Sequence, residues 1–365
     1  MRYEAVWYTH EGVRKGVIQA FESLEYVKTQ NAIGALVINM PRGLIQYDQF
    51  SVGDIFEVWR EKGGVLELQN ETAYFLQNWE FWTDNDGAEY IRLMANDANW
   101  LLDTAIVWAY SGSAGASKND YPDDMMKAIV KEQLGADSGI ASRTKLTCAP
   151  DLGAGGAAIA KDFAYRNVLA VLQEICEVAQ EKNDIWLGFD VVRTAPGQFE
   201  FRTYTGQRGQ NHGRASGDPR LVGRQYGNLS EAAFGTYHAD ERNVVLVAGQ
   251  GEDAARTLVT RSNTSRMNAS KWNRREYFKD SRDDSTTAAL EADGDAALDE
   301  FRPRQVLTGK LHDTPGMQFG IHYQFGDVLS VEAFGYFVDC HVKAVRVKVD
   351  QDGGEQLDIK LEGEL

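Results

Sequence analysis

The six histidines are the first residues to test for chemistry, because imidazole serves both as a metal ligand and as a general base. They are His10, His212, His238, His312, His322 and His341. No two form the H-E-x-x-H pair that holds zinc on a helix. His238-Ala239-Asp240 has the H-x-D form of some metallohydrolases, but no second histidine lies near it in sequence. The histidines therefore predict no metal site.

The nucleophiles are equally scattered. Cys148, Cys176 and Cys340 form no C-x-x-C pair, which argues against a disulfide framework and a thiolate zinc cage. Cys340 precedes His341, but neighbours on a strand point to opposite faces and cannot form a dyad. The chain has no G-x-S-x-G, and its glycine-rich stretch 153–162 lacks the G-K-[ST] of a P-loop. We predict no catalytic residue, no metal and no cofactor, although a glycosidase-type carboxylate pair stays open, because any two acids could meet in the fold.

Two acidic segments resemble the start of a calcium loop: Asp84-Asn85-Asp86-Gly87 and Asp350-Gln351-Asp352-Gly353. In both, the glycine comes two residues too early for an EF-hand and the bidentate glutamate is missing. Alternating apolar and polar residues flank each segment, as the two strands of a hairpin require. We therefore predict that Asp86, Gly87, Asp352 and Gly353 are structural turn residues.

A second pattern occurs near both ends of the chain. Residues 50–58 read FSVGDIFEV and residues 323–331 read YQFGDVLSV, and in each an apolar residue precedes Gly-Asp. Gly-Asp before a strand is common turn chemistry, so chance is one explanation. The order argues for the other, because each phrase is followed by an Asp-x-Asp-Gly hairpin, 34 residues later at the front and 27 at the back. We predict two related β-modules, in which Gly53, Asp54, Gly326 and Asp327 are turn residues that lead into a strand.

The duplication makes a geometric prediction. The strands after Gly53 and Gly326 should superpose. A helix after either phrase, or one sheet containing both strands, would mean that the duplication idea is wrong.

The remaining elements follow from periodicity and breakers. Residues 2–100 are mostly β, 111–120 is a small-residue linker, and the chain is β again from 305. Helices are predicted at 122–135, where Pro122 suits the first turn, at 162–183 and at 285–301. Further strands are predicted at 185–193, 198–205, 231–238, 243–249 and 256–261. The fold class is mainly β with an α+β insertion, in three parts: a first β-module at 1–110, completed in part by later strands, insertion domains at 111–302, and a second β-module at 303–365.

Charge limits the partners. The 365-residue chain has a net charge of −16, which disfavours non-specific binding to nucleic acid or anionic membrane. No apolar run approaches the roughly 20 residues of a membrane-spanning helix, and residues 1–30 lack the core of a signal peptide. We expect synthesis in a cytoplasm, no export by the general secretory route and no membrane anchor. Residues 256–282 hold eight bases and two acids, whereas 283–300 hold seven acids and no base. These two segments either meet across subunit boundaries in an assembly, or form a solvated surface, or pair within the chain.

Several segments, in order along nearly the whole chain, resemble the tail-hub proteins of siphophages, also called baseplate hub proteins or the N-terminal part of the tail-associated lysin. They are SLEYVKTQNAIGALVINMP, FSVGDIFEVWR, YFLQNWEFW, FAYRNVLAVLQEICEVAQ, WLGFDVV, FEFRTYTG, RREYFKDSRD and FGDVLSVEAFG. The order of these segments is more specific than any one of them.

The resemblance implies a structural protein of the virion tail tip. Hubs form homotrimers in which each subunit supplies two β-barrel-like tube domains, here 1–110 and 303–365, giving a pseudo-sixfold ring. The strands after Gly53 and Gly326 are then expected each in its own barrel, roughly 60° apart around a threefold axis. The implied partners are the distal tail protein, the tape measure protein and receptor-binding proteins of the tail tip, with phage DNA only in transit through an acidic lumen.

Larger members carry a wall-degrading domain after the hub. This sequence ends four residues after its last predicted strand, so we expect no such domain and no enzymatic activity. The alternatives are a tail-associated cell-wall hydrolase, for which the insertion supplies unassigned acids, and a carbohydrate-binding adhesin, which the aromatic residues allow.

Overall fold

The computed structural model describes residues 2–44, 49–108, 116–183, 185–251, 256–282 and 286–364. The strands of the first half are β1 (Tyr3–Tyr8), β2 (Arg14–Ile18), β3 (Ser23–Thr29), β4 (Ala35–Pro41), β5 (Ile55–Lys62), β6 (Val65–Leu68), β7 (Tyr74–Thr83), β8 (Glu89–Asp97), β9 (Ala116–Asp120), β10 (Thr147–Cys148), β11 (Ile159–Phe163) and β12 (Leu187–Ala195). Those of the second half are β13 (Gln198–Thr205), β14 (Asn211–His212), β15 (Leu221–Gly223), β16 (Leu229–Tyr237), β17 (Val244–Ala248), β18 (Leu258–Ser262), β19 (Glu276–Asp280), β20 (Arg304–Leu311), β21 (Val328–Ala333), β22 (Tyr336–Asp350) and β23 (Glu355–Glu364). The helices are α1 (Trp100–Asp103), α2 (Pro122–Leu134), α3 (Val168–Asn183), α4 (Thr264–Met267) and α5 (Thr287–Glu300). The predicted mainly β fold is confirmed.

Fifteen of the described strands form one hydrogen-bonded sheet. Its main path runs β16-β20-β23-β22-β3-β4-β8-β7-β5-β1-β2, with β6 on β5 and with β21, β14 and β15 branching from β22. Alternate residues of these strands point into one continuous core, among them Leu24, Ile38, Leu93, Val347 and Ile359, each at most 1% exposed. This period-two burial is what the alternating sequences predict.

The two Gly-Asp phrases do not begin strands of separate sheets, so the prediction that each strand lies in its own barrel is wrong. One sheet was the result expected to exclude a duplication, but it does not exclude one, because two repeated modules that join edge to edge also form one hydrogen-bonded sheet. β5 and β21 belong to the same sheet. The link is the second half of β22, where Ala344–Asp350 pairs antiparallel with Thr29–Ser23 of β3. A strand edge leaves unpaired N–H and C=O groups, and this pairing satisfies the edges of both halves at once.

A second core lies between α1, α2, α3 and the small sheet β10-β13-β12. Helix α2 begins at Pro122 and ends before Gly135, as predicted. Helix α3 begins at Val168, six residues later than predicted, because 159–163 forms strand β11. Strand β11 pairs with β9, so residues 116–120 of the predicted linker form a strand. Residues 111–115 of that linker lie outside the described residues. The Asn167 side chain accepts the Ala170 N–H at 3.1 Å and so caps the helix.

A third unit consists of the sheet β18-β17-β19 with α5 on one face. The predicted strands from 185 to 261 all occur, within two residues of their expected ends, and the predicted helix at 285–301 is α5. Arg261 binds Asp295 at 2.8 Å, and Lys279 lies 3.9 Å from Asp293. These basic and acidic residues therefore pair within the chain, which is one of the alternatives given above. Residues 283–285 lie outside the described part.

Candidate assembly interface

The candidate metal ligands do not converge in the part of the chain that the structure describes. The described residues hold no group of three or more His, Cys, Asp or Glu side chains placed to bind a metal. His238 Nδ1 lies 2.7 Å from Glu241 Oε2, which makes this pair a local contact. No described helix is long and apolar enough to cross a membrane.

The adjacent Cys340 and His341 point to opposite faces of β22, as predicted. Cys340 is fully buried, and burial raises the pKa of its thiol to about 12. His341 stacks on Trp186 with 4.8 Å between ring centroids, and burial lowers the pKa of the imidazole to about 4. A protonated thiol that faces away from a neutral imidazole is not a nucleophile.

The Gly53-Asp54 turn has a specific hydrogen-bond pattern. Gly53 has φ +87°, a left-handed conformation that favours glycine. Its N–H donates to the Leu76 carbonyl at 3.3 Å, and the Leu76 N–H donates back to the Asp54 carbonyl at 2.8 Å. The Asp54 carboxylate then accepts the Ser51 N–H at 3.1 Å. The turn is thereby fixed to the start of β7.

The Gly326-Asp327 turn repeats this pattern bond for bond. Gly326 also has φ +87°, and its N–H donates to the Val342 carbonyl at 3.2 Å. The Val342 N–H donates to the Asp327 carbonyl at 2.8 Å, and the Asp327 carboxylate accepts the Gln324 N–H at 2.7 Å. Burial raises the pKa of Asp327, although the Gln210 and Gln324 N–H groups oppose this effect. The four predicted Gly-Asp residues thus occupy matching turns.

The hairpin turns match as well. Asp84 accepts the N–H of Asp86 at 3.0 Å and that of Ala88 at 2.9 Å on one carboxylate oxygen. Asp350 accepts in the same way from Asp352 at 3.0 Å and Gly354 at 2.7 Å. Gly87 and Gly353 have φ +85° and +77°. Each carboxylate is used by its own turn, which is the role that the sequence pattern indicates.

These matches extend to ten strands. Module A consists of β3, β4, β8, β7 and β5, and module B of β16, β20, β23, β22 and β21, each hydrogen-bonded in that order. The register of β7 on β8 shifts after Leu76, and that of β22 on β23 shifts after Val342, the two residues that pair with the turns. From Ile38 to Asp54 and from Leu311 to Asp327 the spacing is the same, 16 residues. From the Gly-Asp turn to the hairpin turn, module A is seven residues longer than module B, and the extra residues lie where β6 extends module A.

The two modules meet at the pairing of β22 with β3, which we call the joint. On its buried face Val347 lies opposite Tyr26 and Val349 opposite Leu24, all fully buried. On the exposed face Arg346 binds Glu25 at 2.8 Å. Module B therefore uses the second half of its bulged strand to bind the outer strand of module A.

A buried charge network anchors the joint to the second core. Lys28 Nζ lies 2.8 Å from Asp97 Oδ2 and 2.6 Å from Asp190 Oδ1, and Arg208 Nε binds the other Asp190 oxygen at 3.0 Å. Burial disfavours the ammonium, but the Asp190 and Asp97 carboxylates outweigh it and raise the pKa of Lys28. No sequence pattern indicated this network, because its members come from β3, β8, β12 and the loop after β13.

Two edges equivalent to those of the joint pair with no other described strand. One is the second half of β7, Asn78–Thr83, which bonds only to β8, and the other is the outer edge of β16. Aromatic side chains lie at both: Trp79 and Phe234 are partly buried at the rim of the main core. Phe234 stacks on Tyr336 with 4.3 Å between centroids. Exposed edges with apolar rims are potential assembly surfaces.

The fold is that of phage tail proteins. A tail protein from Neisseria meningitidis MC58 shares it with a TM-score of 0.55 and 12% identity, over 99% of this chain and 97% of that one. The 43 kDa tail protein of prophage MuSo2 from Shewanella oneidensis gives 0.56 and 12%, over 98% and 97%. Prophage tail protein gp18 from Listeria monocytogenes EGD-e gives 0.53 and 10%, over 99% and 94%.

The family is defined by sequence. The family described as Siphovirus ReqiPepy6 Gp37-like protein matches residues 5–361, and the chain belongs to it. No curated protein matches the sequence. The predicted resemblance to siphophage tail proteins is thus confirmed, and the chain is a phage tail protein in family and fold.

Proposed function

We propose that the protein is the non-enzymatic hub of a siphophage tail tip, a homotrimer whose six modules form a pseudo-sixfold ring. The observation that carries this proposal is the repeat within the chain: modules A and B share strand order, turns and bulge, and they lie edge to edge. Two similar units per chain occupy six similar places when three chains associate.

The edges support a closed ring. The joint uses the β22 edge of module B and the β3 edge of module A, which leaves the β7 edge of A and the β16 edge of B. One chain therefore presents two different, complementary edges at its two ends. Such head-to-tail contacts build rings when the rotation closes.

The exposed face of the main sheet fits a wall that DNA passes without adhering. Some of its cations are paired: Arg92 with Glu80 at 2.7 Å and Lys310 with Glu231 at 2.8 Å. Paired cations offer phosphates little net attraction. This face is mixed in charge, whereas the resemblance to tail hubs implied an acidic lumen. In this role the ring joins the distal tail ring to the tail tip, DNA and the tape measure protein pass through its lumen, and tail-tip proteins bind the receptor.

Mass photometry over a concentration series tests the assembly. The hub predicts a species of about 122 kDa, three times the 40.7 kDa chain, that gains population as concentration rises. A protein that stays monomeric at every concentration and is missing from purified tail tips would contradict it.

A zymogram on host cell wall tests the non-enzymatic role, and clearing by the purified protein would favour the hydrolase alternative.

A further inference from the structure

The joint within one chain supplies a template for the contact between chains. In the joint, the second half of β22 pairs with β3 in a defined antiparallel register. The equivalents of these strands, β7 in module A and β16 in module B, have the corresponding edges open in the described structure. A second copy of this chain offers the missing partner to each.

We propose that Asn78–Glu80 of β7 in one copy pairs antiparallel with Ala233–Gly235 of β16 in the next, with Glu80 directly opposite Ala233. This proposal rests on the ring described above and adds its contact strands and their register.

The register follows from two correspondences. Arg346 corresponds to Glu80, because each lies four residues before the hairpin aspartate, Asp350 or Asp84. In the joint Arg346 faces Val27. The contact therefore places Glu80 opposite the module B equivalent of Val27.

That equivalent is Ala233, and it is found by counting along matching strands. Ile38 of β4 and Leu311 of β20 are equivalent, because each lies 16 residues before its turn aspartate, and they pair with Leu24 and Leu229. Three residues earlier on the same two strands lie Ala35 and Thr308, which pair with Val27 and Ala233. A bulge after Ser230 interrupts β16, so the register is transferred only to the part of the strand beyond it.

The side chains at the two edges suit this contact. Trp79 falls opposite Phe234, at the place that the fully buried Val345 and Lys28 occupy in the joint. Both aromatic side chains are only partly buried in the single chain and lie against the same core. Pairing the edges therefore buries apolar surface and also satisfies the unpaired backbone N–H and C=O groups.

The two contacts differ in chemistry. The joint buries Lys28 against Asp97 and Asp190, whereas the equivalent position in β16 is Phe234. The contact between chains thus needs no buried ion pair. An apolar contact between separate chains avoids removing charges from water on association.

Disulfide trapping tests the register. The pair Glu80→Cys and Ala233→Cys, in a Cys148→Ser background, places two thiols on directly opposed exposed positions with Cβ atoms about 5 Å apart, within disulfide range. Mild oxidation should give dimer and trimer bands on a non-reducing gel. The control is Glu80→Cys with Tyr237→Cys. Tyr237 lies on the same face of β16 as Ala233 but four residues further along the strand, roughly 13 Å from it. Circular dichroism of each variant shows whether it folds.

The outcomes separate the register from the ring. Oligomer bands at least tenfold stronger for the first pair than for the control support the proposal. A trimer by mass photometry with no such difference overturns the register and leaves the hub intact. Monomer alone, in solution and at the tail tip, overturns both.

Discussion

The buried ammonium of Lys28 makes the sharpest prediction about stability. Lys28→Met keeps the length of the side chain but removes the cation between Asp97 and Asp190. Asp190 keeps Arg208 at 3.0 Å. Asp97, which is fully buried, keeps only N–H donors among its described partners, such as that of Asn99 at 3.1 Å.

Removing one partner of a buried ion pair leaves the other charge without compensation, which costs about 3–5 kcal/mol. We therefore expect Lys28→Met to lower the free energy of unfolding by that amount. The double variant Lys28→Met, Asp97→Asn removes the orphaned charge and should regain more than half of the loss.

Urea unfolding followed by tryptophan fluorescence measures both variants, with the midpoint shift multiplied by the slope of the wild-type transition. Lys131→Met is the control, because its ion pair with Asp151 is largely exposed and should contribute less than about 1 kcal/mol. A loss below about 1 kcal/mol for Lys28→Met, or a double variant no more stable than the single one, would refute the role given to this network.

Three further predictions concern the turns, the stacked histidine and a helix cap. Asp54→Ala leaves the Ser51 N–H and Trp7 Nε1 unpaired, and Asp327→Ala leaves the Gln324 and Gln210 N–H groups unpaired, so each should lower stability by about 1–3 kcal/mol; an unchanged thermal midpoint for either variant would argue against the role given to that carboxylate. The pKa of His341 is lowered to about 4, so between pH 6.5 and pH 4 the unfolded chain binds a proton at this histidine that the folded chain does not bind. The contribution of His341 to the free energy of unfolding is fully present above pH 6.5 and falls by roughly 3 kcal/mol towards pH 4. His341→Phe should remove this pH dependence in urea titrations, and an unchanged dependence on pH would contradict the assignment. Asn167→Ala removes the cap of α3 and should cost about 1–2 kcal/mol by thermal unfolding, whereas an unchanged midpoint would show that the cap is not needed.

Local signals in the sequence predicted the local structure well. Asp-Gly and Gly-Asp turns are demanded by backbone geometry, so the sequence alone was enough to place Gly53, Gly87, Gly326 and Gly353 in turns. The start of α3 was misplaced because residues 162–167 carry no strong strand pattern, and β11 depends on its pairing with β9.

The joint could not be predicted in the same way. It pairs 344–350 with 23–29, more than 300 residues apart, and nothing local in either strand specifies the other. Module B was also hidden, because β17, β18, β19 and α5 separate β16 from its neighbour β20. The assembly edges follow only once both modules are aligned.

A reconstruction of the native tail tip by electron cryomicroscopy tests the central claim most directly. The account predicts three copies of the chain in one ring, with modules A and B alternating in six similar places and β7 of each copy beside β16 of the next. A ring of six copies, or a trimer in which the two modules do not occupy similar places, would contradict it.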